Sequence, residues 1–330
     1  MVSLKYIAKR IVITIFLVWA IITFLFGLFR FMPGTYVDIL TQGIADPELI
    51  EEIEEKYAVH EPLHEQYIAY MHNMLTGDMG DSFQYRDPVL EVVLPAMANS
   101  LILVLPATVI GYIIGSYVGT YMAKNRGSIQ EKGAFSFATL CGTIPEFYTS
   151  MLLIVVFAVW FGLFPTSGMA SIDVRAETDG LFELMQTANF WWHYTLPASA
   201  IVIRYIYAPS LIMRTSVIET RRKEFIYYIR MTGLAPWKQT RHLMKHASLP
   251  VITAFPSELT RVIGGMVLVE VVFNWPGIGF LLVQSILVRD FPVVQFVFFL
   301  IALSVILGNF AVDIIYSIID PRIAIDESND

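Results

Sequence analysis

Residues Val92 to Ala123 read VVLPAMANSLILVLPATVIGYIIGSYVGTYMA, 32 consecutive positions without Asp, Glu, Lys or Arg. A helix rises 1.5 Å per residue, so about 20 such residues cross the ~30 Å hydrocarbon core of a bilayer. No water reaches the backbone in lipid, so every N–H and C=O has to be satisfied within the segment, which predicts a transmembrane helix. Gly111, Gly115 and Gly119 recur on one face of it. Missing side chains at four-residue spacing predict the close approach of a second helix.

Working outward, five more segments have the same character: Ile11–Phe29, Gly133–Phe164 broken only by Glu146, about Leu196–Met213 interrupted by Arg204, about Val251–Phe273, and Phe291–Val312. Six spans of an all-α integral membrane protein are expected. The composition agrees, because only 15% of the 330 residues are charged and 56% are hydrophobic, with a mean hydropathy of +0.61. A soluble domain carries about a quarter charged residues, so a disordered chain and a soluble enzyme of ordinary surface are both excluded. Lys5, Lys9 and Arg10 precede the first span as they would in a signal peptide. Its apolar run exceeds the usual 7–15 residues and no small-residue cleavage site follows, so it reads as a retained anchor. The single cysteine, Cys141, offers no disulfide framework.

Sidedness follows from the basic residues. With the N-terminus inside, 15 of the 22 Lys and Arg fall in inner segments, eight of them between Met213 and Val251. The outer segments hold Arg30, Lys56, Arg86, Arg175 and Arg289, and both termini are predicted to be cytoplasmic. The chain then divides into residues 1–31 (N-terminus and first span), an outer segment 32–97, and a five-helix core 98–330 with an inner loop 214–250. The outer segment sets 13 acids against Lys56 and Arg86, a net of −11, while the whole chain carries −7. Short amphipathic helices are expected at Pro47–Tyr57 and Pro62–Leu75. Leu181–Trp192, ending Phe-Trp-Trp, reads as an interfacial segment.

Few motifs carry chemistry. His60-Glu-Pro-Leu-His64 satisfies the H-E-x-x-H zinc pattern, but that pattern needs an unbroken helix, and Pro62 removes a backbone donor in its middle. Neither a phosphate loop nor a G-x-G-x-x-G turn occurs, so any nucleotide chemistry has to come from another chain. Arg204, Glu258 and Arg261 lie at bilayer depth, where charge is costly and faces a partner or a water-filled route. Glu258 and Arg261 are three apart on one helix and can pair. These three are candidates for lining a translocation path, with a buried structural salt bridge as the alternative. The inner loop reads helix–Gly–helix: Glu224–Thr232, Gly233-Leu-Ala-Pro236, Trp237–Ala247, closed by Leu249-Pro250. Attraction to anionic lipid explains its charge but not its punctuation.

That loop resembles the EAA loop of ABC-importer permeases, in which a Gly-broken hairpin docks into an ATPase subunit. The likeness runs along nearly the whole chain. Met32-Pro-Gly34, Gly77-Asp-Met-Gly-Asp-Ser82, Ile144-Pro145, Phe164-Pro-Thr-Ser-Gly168, Val269-Glu-Val-Val-Phe-Asn-Trp-Pro-Gly-Ile-Gly279, Arg289-Asp-Phe-Pro-Val-Val-Gln295 and Asp320-Pro-Arg322 occur in order. Together they resemble the first permease subunit of the dipeptide/oligopeptide/nickel importer group. The resemblance implies a type I ABC-importer permease fold, a transport subunit rather than an enzyme, and residence in the cell (plasma or inner) membrane. It also implies a second homologous permease, two ATP-binding subunits carrying ATP and Mg on the cytoplasmic side, and a substrate-binding protein outside, with no cofactor in this chain and no nucleic acid. Glu224, Tyr227, Tyr228, Arg230, Gly233 and Leu234 would contact the ATPase. Tyr227, Tyr228 and Ile229 stand where the family has Glu-Ala-Ala, and Glu258 and Arg261 where it is usually uncharged. Peptides are the expected cargo, with oligosaccharides or nickel as alternatives. A passive channel or a membrane metalloprotease would lack the punctuated loop or need a third zinc ligand.

Overall fold

A computed structural model describes residues 4–31 and 61–319, and at a few of these, Arg230 among them, the backbone alone. The expected helix at Pro47–Tyr57, the Met32-Pro-Gly34 element, His60 and the Asp320-Pro-Arg322 motif lie outside the described residues. The rest is helical: α1 (Leu4–Arg30), α2 (Leu63–Thr76), α3 (Val89–Lys124), α4 (Ile129–Thr143), α5 (Glu146–Leu153, continued by a π-helical stretch Ile154–Trp160), α6 (Ile172–Glu177), α7 (Leu181–Leu184), α8 (Ala188–Tyr205), α9 (Tyr207–Thr220), α10 (Glu224–Met231), α11 (Pro236–Ala247), α12 (Leu249–Phe273), α13 (Ile278–Leu287) and α14 (Phe291–Ile319).

Four helical runs are long and apolar enough to cross a membrane unaided, and two bent pairs raise the number to six. The bends have local causes. Ile129–Thr143 and Glu146–Trp160 meet at 102° across Ile144-Pro145, where Pro145 sits at φ −59°, ψ 141°. Proline has no N–H to continue the ladder and pushes the preceding residue out of the helical region. In α12, Leu249–Leu259 and Gly264–Phe273 meet at 67°, flanked by Pro256 and the Gly264-Gly265 pair, both recognised causes of kinks. The fourth span pauses between α8 and α9 at Ile206, because Pro209 lacks the N–H that would bond the Tyr205 carbonyl.

The chain forms two compact units, residues 1–98 with 277–330, and residues 99–276. In the first, α1 packs on α14 and α2. Phe29 meets Phe291 edge-on at 6.3 Å, Phe26 meets Tyr67 at 5.3 Å, and the Thr23 and Tyr67 hydroxyls lie 2.7 Å apart. A turn at residues 82–86 is fixed by Asp290, which is fully buried. Its carboxylate accepts from the Ser82 hydroxyl and from the Phe83 and Gln84 amides, each at 3.3 Å. Two of the sequence elements, Gly77–Ser82 and Arg289–Gln295, are thus halves of one structural clasp.

In the second unit the glycine ladder works as its spacing predicts. A Cβ at Gly111 would stand 3.0 Å from the Val202 carbonyl, and one at Gly115 2.5 Å from that of Ile206. One at Gly119 would stand 2.9 Å from Met213 Cβ. Close backbone approach of α3 to α8 and α9 thus depends on all three.

Candidate functional site

Two features of the second unit join charge or exposed aromatic surface to a break in the backbone. The first is the basic hairpin α10–α11. Gly233 turns the chain with φ +67°, a left-handed conformation that a residue with Cβ adopts at a cost. Pro236 then starts α11 at a position where no backbone donor is needed, and the Gln239 amide donates to the Leu234 carbonyl at 2.7 Å. The helix α10 is strongly two-faced. Ile226 is buried, whereas Tyr227, Tyr228 and Met231 are 60–67% exposed. Glu224 is exposed in its first turn, and the side chain of Arg230 lies outside the described residues.

The hairpin is fastened to the spans by named bonds. Leu243 and Ala247 are buried on the inner face of α11. Ser216 of α9 donates to the Ala247 carbonyl at 2.7 Å, Arg221 donates to the Ala123 carbonyl at 3.0 Å, and Lys124 Nζ bonds Thr240 at 3.1 Å. One further tie was not anticipated from sequence. Glu131 of α4 accepts from Arg214 Nε at 2.8 Å and from the Gly127 amide at 2.6 Å, while Ser128 caps α4 by accepting from the Glu131 amide. The Ser-x-x-Glu pattern at residues 128–131 was a legible capping signal; the arginine partner was not.

The second feature is a group of charges at the bends. The structure pairs Arg261 with Glu258 at 3.0 Å, as their spacing predicts, and Arg261 is 74% exposed although it lies midway along an apolar helix. Arg204 does not stand alone: its Nε is 3.6 Å from Glu146 Oε1. Glu146 begins α5 immediately after the 102° bend, and a Cβ on Gly265 would be 2.8 Å from its Oε2. The carboxylate therefore reaches α12 only because residue 265 has no side chain. Glu146 is the member that sequence reasoning noticed but did not assign; a lone charge in an apolar run was the available signal. Arg204 also lies 5.9 Å from the centre of the Tyr205 ring. Two ion pairs, Arg204–Glu146 and Arg261–Glu258, thus lie on the two broken helices and beside the α8–α9 junction. Among the described residues no group of three His, Cys, Asp or Glu could hold a metal.

Residues 115–325 match the family described as "Binding-protein-dependent transport system inner membrane component", and residues 3–104 match its N-terminal counterpart. The chain is 30% identical to the di/tripeptide transport system permease protein DppB of Pseudomonas aeruginosa, covering 97% of this chain and 98% of that one. It is 32% identical to the oligopeptide transport system permease protein OppB of Haemophilus influenzae over 97% and 99%. Identity to the glutathione transport system permease protein GsiC of Escherichia coli K12 is 30%, again over 97% and 99%. These matches span both compact units and every described helix, and the chain belongs to the family of inner-membrane permease components of binding-protein-dependent ABC importers.

Proposed function

We propose that this chain forms half of the translocation path of an importer for di- and oligopeptides, beside a second homologous permease. The peptide cargo is suggested by the names of the relatives, which carry di/tripeptides, oligopeptides and glutathione. Two ATPase subunits with their ATP and Mg act from the cytoplasmic side, where both termini of this chain lie, and a binding protein delivers cargo from outside.

The single observation that carries this reading is the hairpin at Gly233. It offers the exposed rings of Tyr227 and Tyr228 on the same short helix as the exposed Glu224, while its other helix is bonded to α3 and α9. A surface of that form transmits force. Nucleotide-driven closure of the ATPases moves α10, Gly233 and Pro236 delimit the lever, and the bonds from α11 to the spans pass the displacement to the bends at residues 143–146 and 259–264. Arg204, Glu258 and Arg261, joined by Glu146, then line the route whose access alternates. Large exposed aromatic rings are also the side chains that dominate protein interfaces.

The test is removal of residues 224–232 from the chain expressed with its partner subunits. Membrane insertion persists, because none of the spans is touched, while co-purification of the ATPase and ATP-driven peptide uptake are lost. Retained ATPase assembly would overturn the docking assignment. Uptake of an oligosaccharide in place of peptides by the intact complex would overturn the cargo.

A further inference from the structure

Between α3, α4 and α11 lies a groove made of two adjoining hollows, each of about 670 Å³. One is walled by Tyr121, Gly133, Ala134 and Phe137. The other is walled by Trp237, Arg241, Lys245 and Ser248. Tyr117, Lys124, Thr240 and Met244 belong to both, and Lys124 Nζ, 3.1 Å from Thr240, stands at their junction. Lys124 is the last residue of a 36-residue apolar helix, the position where a long cationic side chain reaches the headgroup level. Tyr117 lies seven residues deeper along the same helix, about 10 Å toward the hydrocarbon. Among the described residues Lys124, Arg241 and Lys245 have no carboxylate within ion-pair distance.

We propose that this groove binds one anionic phospholipid of the cytoplasmic leaflet. Its phosphate lies among Lys124, Arg241 and Lys245, and an acyl chain lies along Tyr117, Tyr121 and Phe137. The occupant is argued from complementarity at both ends. A soluble anion would use only the cationic half, and a neutral lipid would leave the three exposed cations without a counter-charge. Basic pockets beside spans on the cytoplasmic side favour anionic headgroups for this reason. Because α11 forms one wall, the lipid braces the hairpin against α3 and α4, so binding tunes how firmly the lever is held. The proposal rests on the membrane orientation alone and not on the cargo.

The test uses the purified complex of this chain with its partner subunits, in micelles containing equal phosphatidylglycerol and phosphatidylcholine, with retained lipid counted by native mass spectrometry. Phosphatidylglycerol is retained in preference to phosphatidylcholine. The variant K124Q/R241Q/K245Q lowers its retention at least about tenfold, since each cation near an anionic headgroup strengthens binding by roughly fivefold. The charge-matched variant R126Q/K132Q/R222Q, whose residues do not line the groove, leaves retention unchanged. Gly133→Phe fills the apolar half without altering charge, and because an added Cβ there meets nothing within 4 Å it folds normally, yet it also lowers retention. Co-purification of the ATPase with each variant reports on folding. Four results would each overturn the proposal: equal retention of the two lipids, equal loss in the charge-matched variant, displacement by inorganic phosphate alone, or cross-linking of a photoreactive residue placed at position 137 to the second permease, which would show protein covering the groove.

Discussion

Replacing Arg204 by Leu separates a path residue from a structural ion pair, provided that Glu146 is replaced as well. At 3.6 Å and an effective dielectric constant of about 20, the Coulomb attraction between the two groups is about 4–5 kcal/mol. Arg204 is 37% exposed and Glu146 15%, so screening reduces this to about 2–3 kcal/mol. The single variant Arg204→Leu leaves the carboxylate of Glu146 against the backbone of Gly265 without its cation, and is expected to be destabilised by about that amount. Joint replacement of Arg204 and Glu146 by Leu removes the uncompensated charge and returns stability to within about 1 kcal/mol of the parent. Thermal unfolding in detergent measures this recovery, and ATP-driven uptake into proteoliposomes measures function. If these side chains line the path, the double variant is stable and still transports below about a tenth of the parent rate, because charges at bilayer depth serve a route. A double variant that recovers both stability and uptake, with unchanged substrate preference, refutes the path role and leaves a salt bridge. A single variant as stable as the parent refutes the desolvated pair itself.

The glycine ladder gives a second expectation. Gly115→Leu drives a side chain into the Ile206 carbonyl and Pro209 and lowers stability by about 1–3 kcal/mol, read as a fall in unfolding temperature, while Gly133→Leu does not. In the other unit, Asp290→Ala leaves the Ser82 hydroxyl and the Phe83 and Gln84 amides without their acceptor and costs about 2–4 kcal/mol, measurable by the same unfolding assay. Finally, the acidic segment 32–97, at −11, is proposed to receive a basic face of the binding protein. Raising salt from about 0.05 M to 0.5 M should then weaken that docking, since screening shortens the reach of surface charge, and calorimetric titration showing no salt dependence would count against it.

Much of the molecule is legible without coordinates. The apolar runs identify the spans because hydrocarbon permits only a self-bonded helix, while helices such as Leu4–Arg30 and Phe291–Ile319 run on past the uncharged stretches into polar and charged residues. Ile144-Pro145 was visible as a motif, yet reading Gly133–Phe164 as one span overlooked the 102° bend, because hydropathy averages over a segment and carries no direction. The Gly233 hairpin is legible because its signals, a glycine between two helical stretches and a proline at a helix start, are local. Arg204 stands out by its depth, but its partner Glu146 on α5 lies 58 positions away and no local spacing points to it. Glu131 was passed over altogether, since an acid near a helix start is ordinary until Arg214 is seen beside it.

The division follows the range of the forces. The sequence alone determined that the chain is membrane-embedded, where along the chain its basic and acidic residues cluster, where the backbone is punctuated, and which family its ordered motifs resemble. Each of these depends on composition or on neighbours within a few turns of helix. Only the tertiary structure decided which charges meet: Ser82 with Asp290 across 208 positions, Arg214 with Glu131 across 83, and Arg204 with Glu146. Those pairings depend on how helices lie against one another. That is set by close contacts such as the glycine ladder of α3 and by the angles at proline breaks, and no window along the chain contains both partners.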